Sequence, residues 1–440
     1  MKTKRLAMAL VLVAGTVVFA ACGSDNEDNS GGGAGKLLHK LVKSEKTRVV
    51  NPAVPDAEMA AFVIGQYDLN FDIIRKNSEI AKKNAMISTY SIQTALAMAW
   101  AGAAGTTASE MQKALNFGDH AHEALNKIDT LIMSKNTEAI KSEYEEMDPI
   151  EIRTANDLYL SPNYTWASAW LDTLAAHYDA GITEMNFAAD PEGARKYIND
   201  AVSEATHERI KDLIPEGSIT TNTELVLTNA IYFKAPWRSD VTKSSEPLIF
   251  NRADGSSVDA EMLMVSDRLG YAKGDNYQAV SVDLRNDAFE VMFVLPDKGK
   301  FDDVLGALNG KMVDDIFAVM DYNRQVLLSF PAYEFTTSLK LNGTLNQLGM
   351  KQAFGGADFS KMTVEPNDMY ISDIFHKSYI GVDDKGVEAA AATALIAQSE
   401  GVEINEVILA LDRPFVFMIY ESDTHTPLFV GQVFDPTAHN

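Results

Sequence analysis

The stretch Gly386-Val-Glu-Ala-Ala-Ala-Ala-Thr-Ala-Leu-Ile-Ala397 decides how the chain is read. Alanine has the best helix propensity, so taken alone the run reads as a helix. Its flanks argue otherwise. A strand-like run ends at Val382 and is followed by the turn Asp383-Asp384-Lys385-Gly386. Polar residues come after it (Gln398, Ser399, Glu400, Gly401), and another strand begins near Pro414. A connection of about 30 residues between strands is unusually long, and loops longer than about 12–15 residues usually serve a function or are disordered. With period two, Val387, Ala389, Ala391, Thr393 and Leu395 share one face, small and uncharged. Glu388, Ala390, Ala392, Ala394 and Ile396 share the other, which carries the only charge. The segment is competent both as an exposed loop and as a strand inserted above a packed core.

Outward from that segment, the apolar spacing predicts helices over 56–76, 107–115, 121–133, 164–178, 190–214, 301–309 and 339–350, with Ser91 capping a run from Ile92 to Ala101. Strands are predicted over 152–160, 225–233, 325–335, 369–382, 414–421 and 427–434. Leu225–Phe233 is nearly continuous apolar, as a strand buried on both faces is. Val280–Leu284 and Phe289–Leu295 flank Arg285-Asn286-Asp287 as a hairpin. No repeat and no second linker intervenes, so one large α+β domain is expected over 56–440.

The 440 residues are 46 % hydrophobic and carry 38 basic against 62 acidic side chains, a formal charge of −24. That material builds a sizeable core, and the acidic balance is the reverse of what nucleic-acid binding requires. The single cysteine, Cys22, excludes a disulfide framework and a cysteine-based zinc site. Residues 1–21 combine Lys2, Lys4 and Arg5 with the apolar run Leu6–Phe19 and the small Ala20-Ala21, which reads as a secretory signal peptide. Phe19-Ala20-Ala21-Cys22 resembles a bacterial lipoprotein box, with Cys22 as the lipidated residue; plain secretion is the alternative. Cleavage there takes the formal charge from −24 to −27, because three basic residues and no acidic one leave. Residues 22–55 are then expected to be a tether, acidic at Asp25–Asp28 and glycine-rich at Gly31–Gly33.

Standard catalytic signatures are missing: no Gly-x-Ser-x-Gly elbow, no phosphate-cradling glycine loop, and no second histidine four residues after His122 or His207.

The residues Asp384-Lys-Gly-Val-Glu-Ala-Ala-Ala-Ala-Thr-Ala394 resemble the reactive-loop hinge of serpins, the serine-protease-inhibitor family. The likeness extends over about 56–436. Asn84–Met111 is similar to an early helical region of the family, with Ser88, Ser91 and Ala101-Gly102-Ala-Ala-Gly105. Thr228-Asn229-Ala-Ile-Tyr-Phe-Lys-Ala-Pro-Trp237 is similar to a strand signature. Phe330-Pro331, Leu348-Gly349-Met350, Phe354 and His376-Lys377 follow in family order. Asp412-Arg-Pro-Phe-Val-Phe417 and Pro427-Leu-Phe-Val-Gly-Gln432 are similar to the closing hairpin. Three features depart from the pattern: Thr89 stands where the family usually has proline, Val387 where it has threonine or serine, and the stretch before Pro414 is about three residues longer.

The resemblance implies the serpin fold, with about nine helices, three β-sheets and an exposed reactive-centre loop at about 384–408. It implies an inhibitor rather than an enzyme, with no cofactor and no metal. It further implies a monomer that forms a covalent complex with a serine or cysteine protease and meets a membrane only through its lipid anchor. Its hinge would comprise Asp384, Lys385, Gly386, Val387, Glu388, Ala389, Ala390, Ala391 and Ala392. Counting seventeen residues from Asp384 places the reactive bond between Glu400 and Gly401, suited to a Glu-specific protease; Ala397, Ser399 or Val402 would instead suit an elastase-like one. Ser88, Ser91, Asn229 and His376 match the family's buried polar cluster where the sheet opens, and Trp237 matches the aromatic at the sheet top. A serpin fold that no longer inhibits is the alternative. The expected location is outside the cytoplasm, lipid-anchored to a bacterial outer membrane or, alternatively, secreted.

Overall fold

The computed structural model describes residues 39–141, 146–387 and 407–439. Cys22, Glu388–Ala392 and the Glu400–Gly401 bond therefore lie outside the described residues. Lys36–Asn440 fall in one compact unit. Among the described residues there are nine α-helices: Asp56–Lys76, Thr89–Trp100, Gly105–Ala114, Ala121–Ser134, Ser168–Tyr178, Pro191–Ala205, Phe301–Ala307, Gly310–Val319 and Asn342–Gln347. The strands follow the expected α+β plan of three sheets: one of seven strands, one of nine, and the ribbon of Leu248–Asn251 with Ser257–Ala260. A minor hairpin, Ile140–Lys141 with Glu146–Met147, accompanies them.

The seven-stranded sheet positions the site. Its order is His39–Val42, Ile182–Met185, Glu151–Leu160, Leu225–Pro236, Gly386–Val387, Asp373–Val382, Tyr333–Lys340. One face lies on the main core, where every residue from Thr89 to Ala99 of one helix is buried. The other face is covered by Ile198 and Val202 of the helix 191–205, clustered with Ala155, Tyr159, Val226, Ala230 and Phe375 from three strands. Leu225–Pro236 is accordingly buried on both faces apart from Lys234.

Several elements differ from the sequence expectation. Residues 39–55, expected in the tether, are packed on the domain. His39–Val42 pairs with Ile182–Met185, and Lys43, Lys46 and Arg48 form ion pairs with Asp179, Asp172 and Asp129. A locally polar segment is held by carboxylates far away in sequence. Ser88, not Ser91, caps its helix: Ser88 is extended (φ −112°, ψ 98°) and its hydroxyl accepts the Ser91 N–H, the arrangement a cap needs. The helix expected over 190–214 ends at Ala205, because His207 and Glu208 adopt φ of 49° and 60°, which right-handed helix excludes. The run 325–335 is two strands, Asp321–Pro331 in the nine-stranded sheet and Tyr333–Lys340 in the seven-stranded one.

Candidate hinge and sheet-opening site

Strands 225–236 and 373–382 pair directly and in parallel from Val226↔Asp373 to Ile231↔Ser378. Above that they separate, and Gly386–Val387 lies between them, antiparallel to both: Gly386↔Pro236, Val387↔Ala235 and Val387↔Val382. The sheet is thus closed below and wedged open above. Val387 is 2 % exposed and belongs to the main core. At Gly386 a Cβ would lie 2.3 Å from the Ala235 carbonyl oxygen, a backbone atom that has nowhere to go. Glycine is required there by close approach.

The turn that delivers the wedge is held from two sides. The Asp383 carboxylate accepts the Lys385 and Gly386 N–H groups (2.8 and 3.2 Å); burial raises its pKa, and these bonds oppose the rise. Trp237 donates its backbone N–H to the Lys385 carbonyl (2.9 Å) and its indole N–H to the Asp383 carbonyl (2.8 Å). Its ring stands edge-on to Phe330. Asp384 lies 3.5 Å from Lys243 Nζ, which also pairs with Glu261. A cavity of about 560 Å³ adjoins the wedge, lined among others by Lys234, Glu334, Tyr379, Gly381 and Asp383. On the outer face, the segment after the 191–205 helix meets strands on both sides of the seam near the level where it opens. His207 meets Glu151 (2.8 Å) on one side. On the other side Arg209 lies over the Tyr379 ring (5.2 Å), and Lys377 donates to the Lys211 carbonyl (2.5 Å).

Below the wedge, Ser88, Ser91, Asn229 and His376 come together, each fully buried. His376 Nδ1 is 2.5 Å from Asn229 Oδ1, and the Ser88 N–H points to His376 Nε2 at 3.4 Å. Only the neutral ring protonated on Nδ1 satisfies both partners. Burial pushes the His376 pKa down to about 3, so that ring is neutral at physiological pH. Asn229 donates its amide to Ser91 Oγ (2.6 Å) and Asn156 Oδ1 (2.9 Å), and Ser91 donates to Asn156 Oδ1 (2.7 Å). Sequence reasoning missed Asn156. It lies opposite Asn229, which lies opposite His376, so one polar row crosses three strands. Thr89, the departure from proline, accepts from Asn70 (2.6 Å) and donates to the Gln66 carbonyl (3.1 Å).

Among the described residues no cluster of three or more histidine, cysteine or acidic side chains is arranged to hold a metal. No described helix is long and apolar enough to cross a membrane. The family model described as "Serpin (serine protease inhibitor)" matches residues 65–436. The chain belongs to the serpin family. An uncharacterized serpin-like protein of Thermococcus kodakarensis is 34 % identical over 355 residues, covering 80 % of this chain and 81 % of the relative. Among solved serpin structures, native tengpin from a thermophile superposes with a TM-score of 0.74 at 25 % identity, covering 90 % of this chain and 97 % of its own. Thyroxine-binding globulin, in complex with thyroxine, superposes with a TM-score of 0.71 at 25 % identity, covering 87 % and 100 %. Of the residues expected in this serpin's hinge, Gly386 and Val387 are the two that form the wedge.

Proposed function

We propose that this serpin is a suicide-substrate inhibitor of serine, or cysteine, endopeptidases, exported and lipid-anchored through Cys22. The observation that carries the reading is the seated wedge above a closed parallel seam. Antiparallel pairing is slightly more stable per residue than parallel, so continuing the wedge downward replaces one parallel ladder with two antiparallel ones. Continuing the observed register sets residue 397 opposite Leu225, the first residue of that strand.

The protease nucleophile attacks the Glu400 carbonyl carbon, and the bond to the Gly401 nitrogen breaks. The freed amine takes a proton from the protease's general acid, and Glu400 remains as an acyl-enzyme. The released segment then enters the seam. On the order of 10 new backbone hydrogen bonds at about 0.5–1.5 kcal/mol each, with a few kcal/mol from apolar burial, give about 10–20 kcal/mol. Whole domains are stable by only about 5–15 kcal/mol, so the gain is large enough to distort the captured enzyme.

The test is incubation with Glu-specific and elastase-like proteases. The expected result is an adduct that survives SDS, with a released C-terminal fragment beginning at Gly401. Cleavage by every protease without an adduct overturns the reading. That outcome would favour a non-inhibitory binding protein, the reading supported by the likeness to thyroxine-binding globulin.

A further inference from the structure

Away from the hinge, the helix 56–76 forms one wall of a second concave surface. Glu58, Ala61, Phe62, Gly65 and Asp68 recur at helical spacing and share one face. With the turn 116–120 and the start of the helix 121–134 they line a groove of about 380 Å³, within the roughly 300–1,000 Å³ of small-ligand sites. Asn116 ties the two walls together. Its amide donates to the Gly65 carbonyl (3.0 Å), and a Cβ on Gly65 would stand 3.0 Å from the Asn116 Cβ. The floor is apolar: the Phe62 and Phe117 rings lie nearly parallel with centroids 6.5 Å apart, and Val54 and Ala124 line the groove beside them. A carboxylate stands at each end. Glu58 and Asp68 belong to the same helix, and the 1.5 Å rise per residue sets them about 15 Å apart along its axis. Glu58 meets His120 Nδ1 (2.6 Å). Asp68 Oδ1 accepts the Gly310 N–H (2.8 Å), and among the described residues its Oδ2 has no hydrogen-bond partner.

We infer that this groove binds a linear polyamine, with the methylene chain on the Phe62–Phe117 floor and one terminal ammonium on each of Glu58 and Asp68. The charge is complementary, because the chain carries a formal −24 and so concentrates cations near its surface. The groove adds what diffuse attraction lacks, two carboxylates at a fixed separation across a strip of apolar surface. Methylenes resting on that strip leave water with a gain of about 25 cal/mol per Å². Each ammonium forms a charge-assisted hydrogen bond. An extended peptide suits the groove poorly. The Gly65 carbonyl is already taken by Asn116, so peptide N–H groups laid along the helix would lose water without gaining partners. The site uses none of the hinge residues, and binding there does not require that the chain inhibit a protease.

The probe is spermine, titrated by calorimetry into the full chain at pH 8.5, where fewer His120 rings carry the proton that competes for Glu58. Saturable one-to-one binding is expected. Glu58→Gln and Asp68→Asn should each weaken it about threefold to fivefold, the worth of one partly exposed ion pair. Asparagine keeps an acceptor for the Gly310 N–H. Ala61→Lys puts a cation of the protein's own beside the floor and should weaken binding by about tenfold or more through like-charge repulsion. Each of these changes raises the net charge by one unit. Asp259→Asn, on the exposed ribbon strand Ser257–Ala260, does the same and should leave the affinity unchanged. Absence of spermine binding overturns the inference. An Asp259→Asn effect as large as those of Glu58→Gln and Asp68→Asn marks diffuse attraction and overturns it too, as does full affinity in all three groove variants.

Discussion

His376 shows how one side chain sets the resistance of the seam. It ties strand 373–382 to Asn229 on strand 225–236 and to the start of the helix 89–100, across the line that parts in the proposed mechanism. Replacing it with alanine leaves the Asn229 oxygen and the Ser88 N–H unpartnered in a buried site, at about 1–3 kcal/mol each. His376→Ala is expected to lower the melting temperature and to form polymers on mild heating; an unchanged melting temperature without polymer contradicts this. The pH dependence follows from the same ring. Its folded-state pKa of about 3 lies below the unfolded value of 6.5, so between those limits the unfolded chain takes up a proton that the folded one does not. The contribution is intact above about pH 6.5 and is lost as pH falls toward 3, by up to about 1.4 kcal/mol per pH unit. Urea midpoints measured from pH 7 to pH 4 should fall more steeply in the native protein than in His376→Gln.

Elements matter here by what they let pass. The sequence positions that follow Val387 in period two, Ala389 and Ala391, are small and uncharged, and in the proposed mechanism speed of entry decides whether the ester is trapped or hydrolysed. Ala389→Arg would drive a charge into the core and is expected to turn the inhibitor into a substrate, cleaved at the normal rate without a stable adduct; an undiminished adduct band refutes it. The edge strand 39–42 and the segment behind it act on the far side of the sheet. Arg48 binds Asp129 (2.6 Å) and Asn126 (2.6 Å), with both charged partners largely shielded. Arg48→Ala should cost about 1–2 kcal/mol, read as a lower denaturation midpoint with the adduct yield retained.

At the scale of the whole molecule, the intact fold holds a seam that is wedged open at one end and bonded shut along the rest. If the loop belongs in that seam, the intact arrangement is not the lowest in free energy. Nicking near Glu400 is then expected to raise the unfolding temperature well above that of the intact chain, measured by circular dichroism. An equal or lower value would remove the driving force from the proposed mechanism.

The amino-acid order by itself determined the features that repeat locally. These were the two-sided burial of 225–233, the hairpin around Arg285-Asn286-Asp287, most helices, and the family motifs that name the fold class. Tertiary structure decided whatever depends on partners distant along the chain. Asn156 carries no local mark, and its place in the polar row exists only because three strands come into register. Residues 39–55 look soluble and tether-like, since the carboxylates that hold them lie about 80 or more residues away. The split at Ala332 arises because one apolar run serves two sheets. Periodicity records which face of an element is buried, but not which element buries it; pairing register is a property of the assembled sheet.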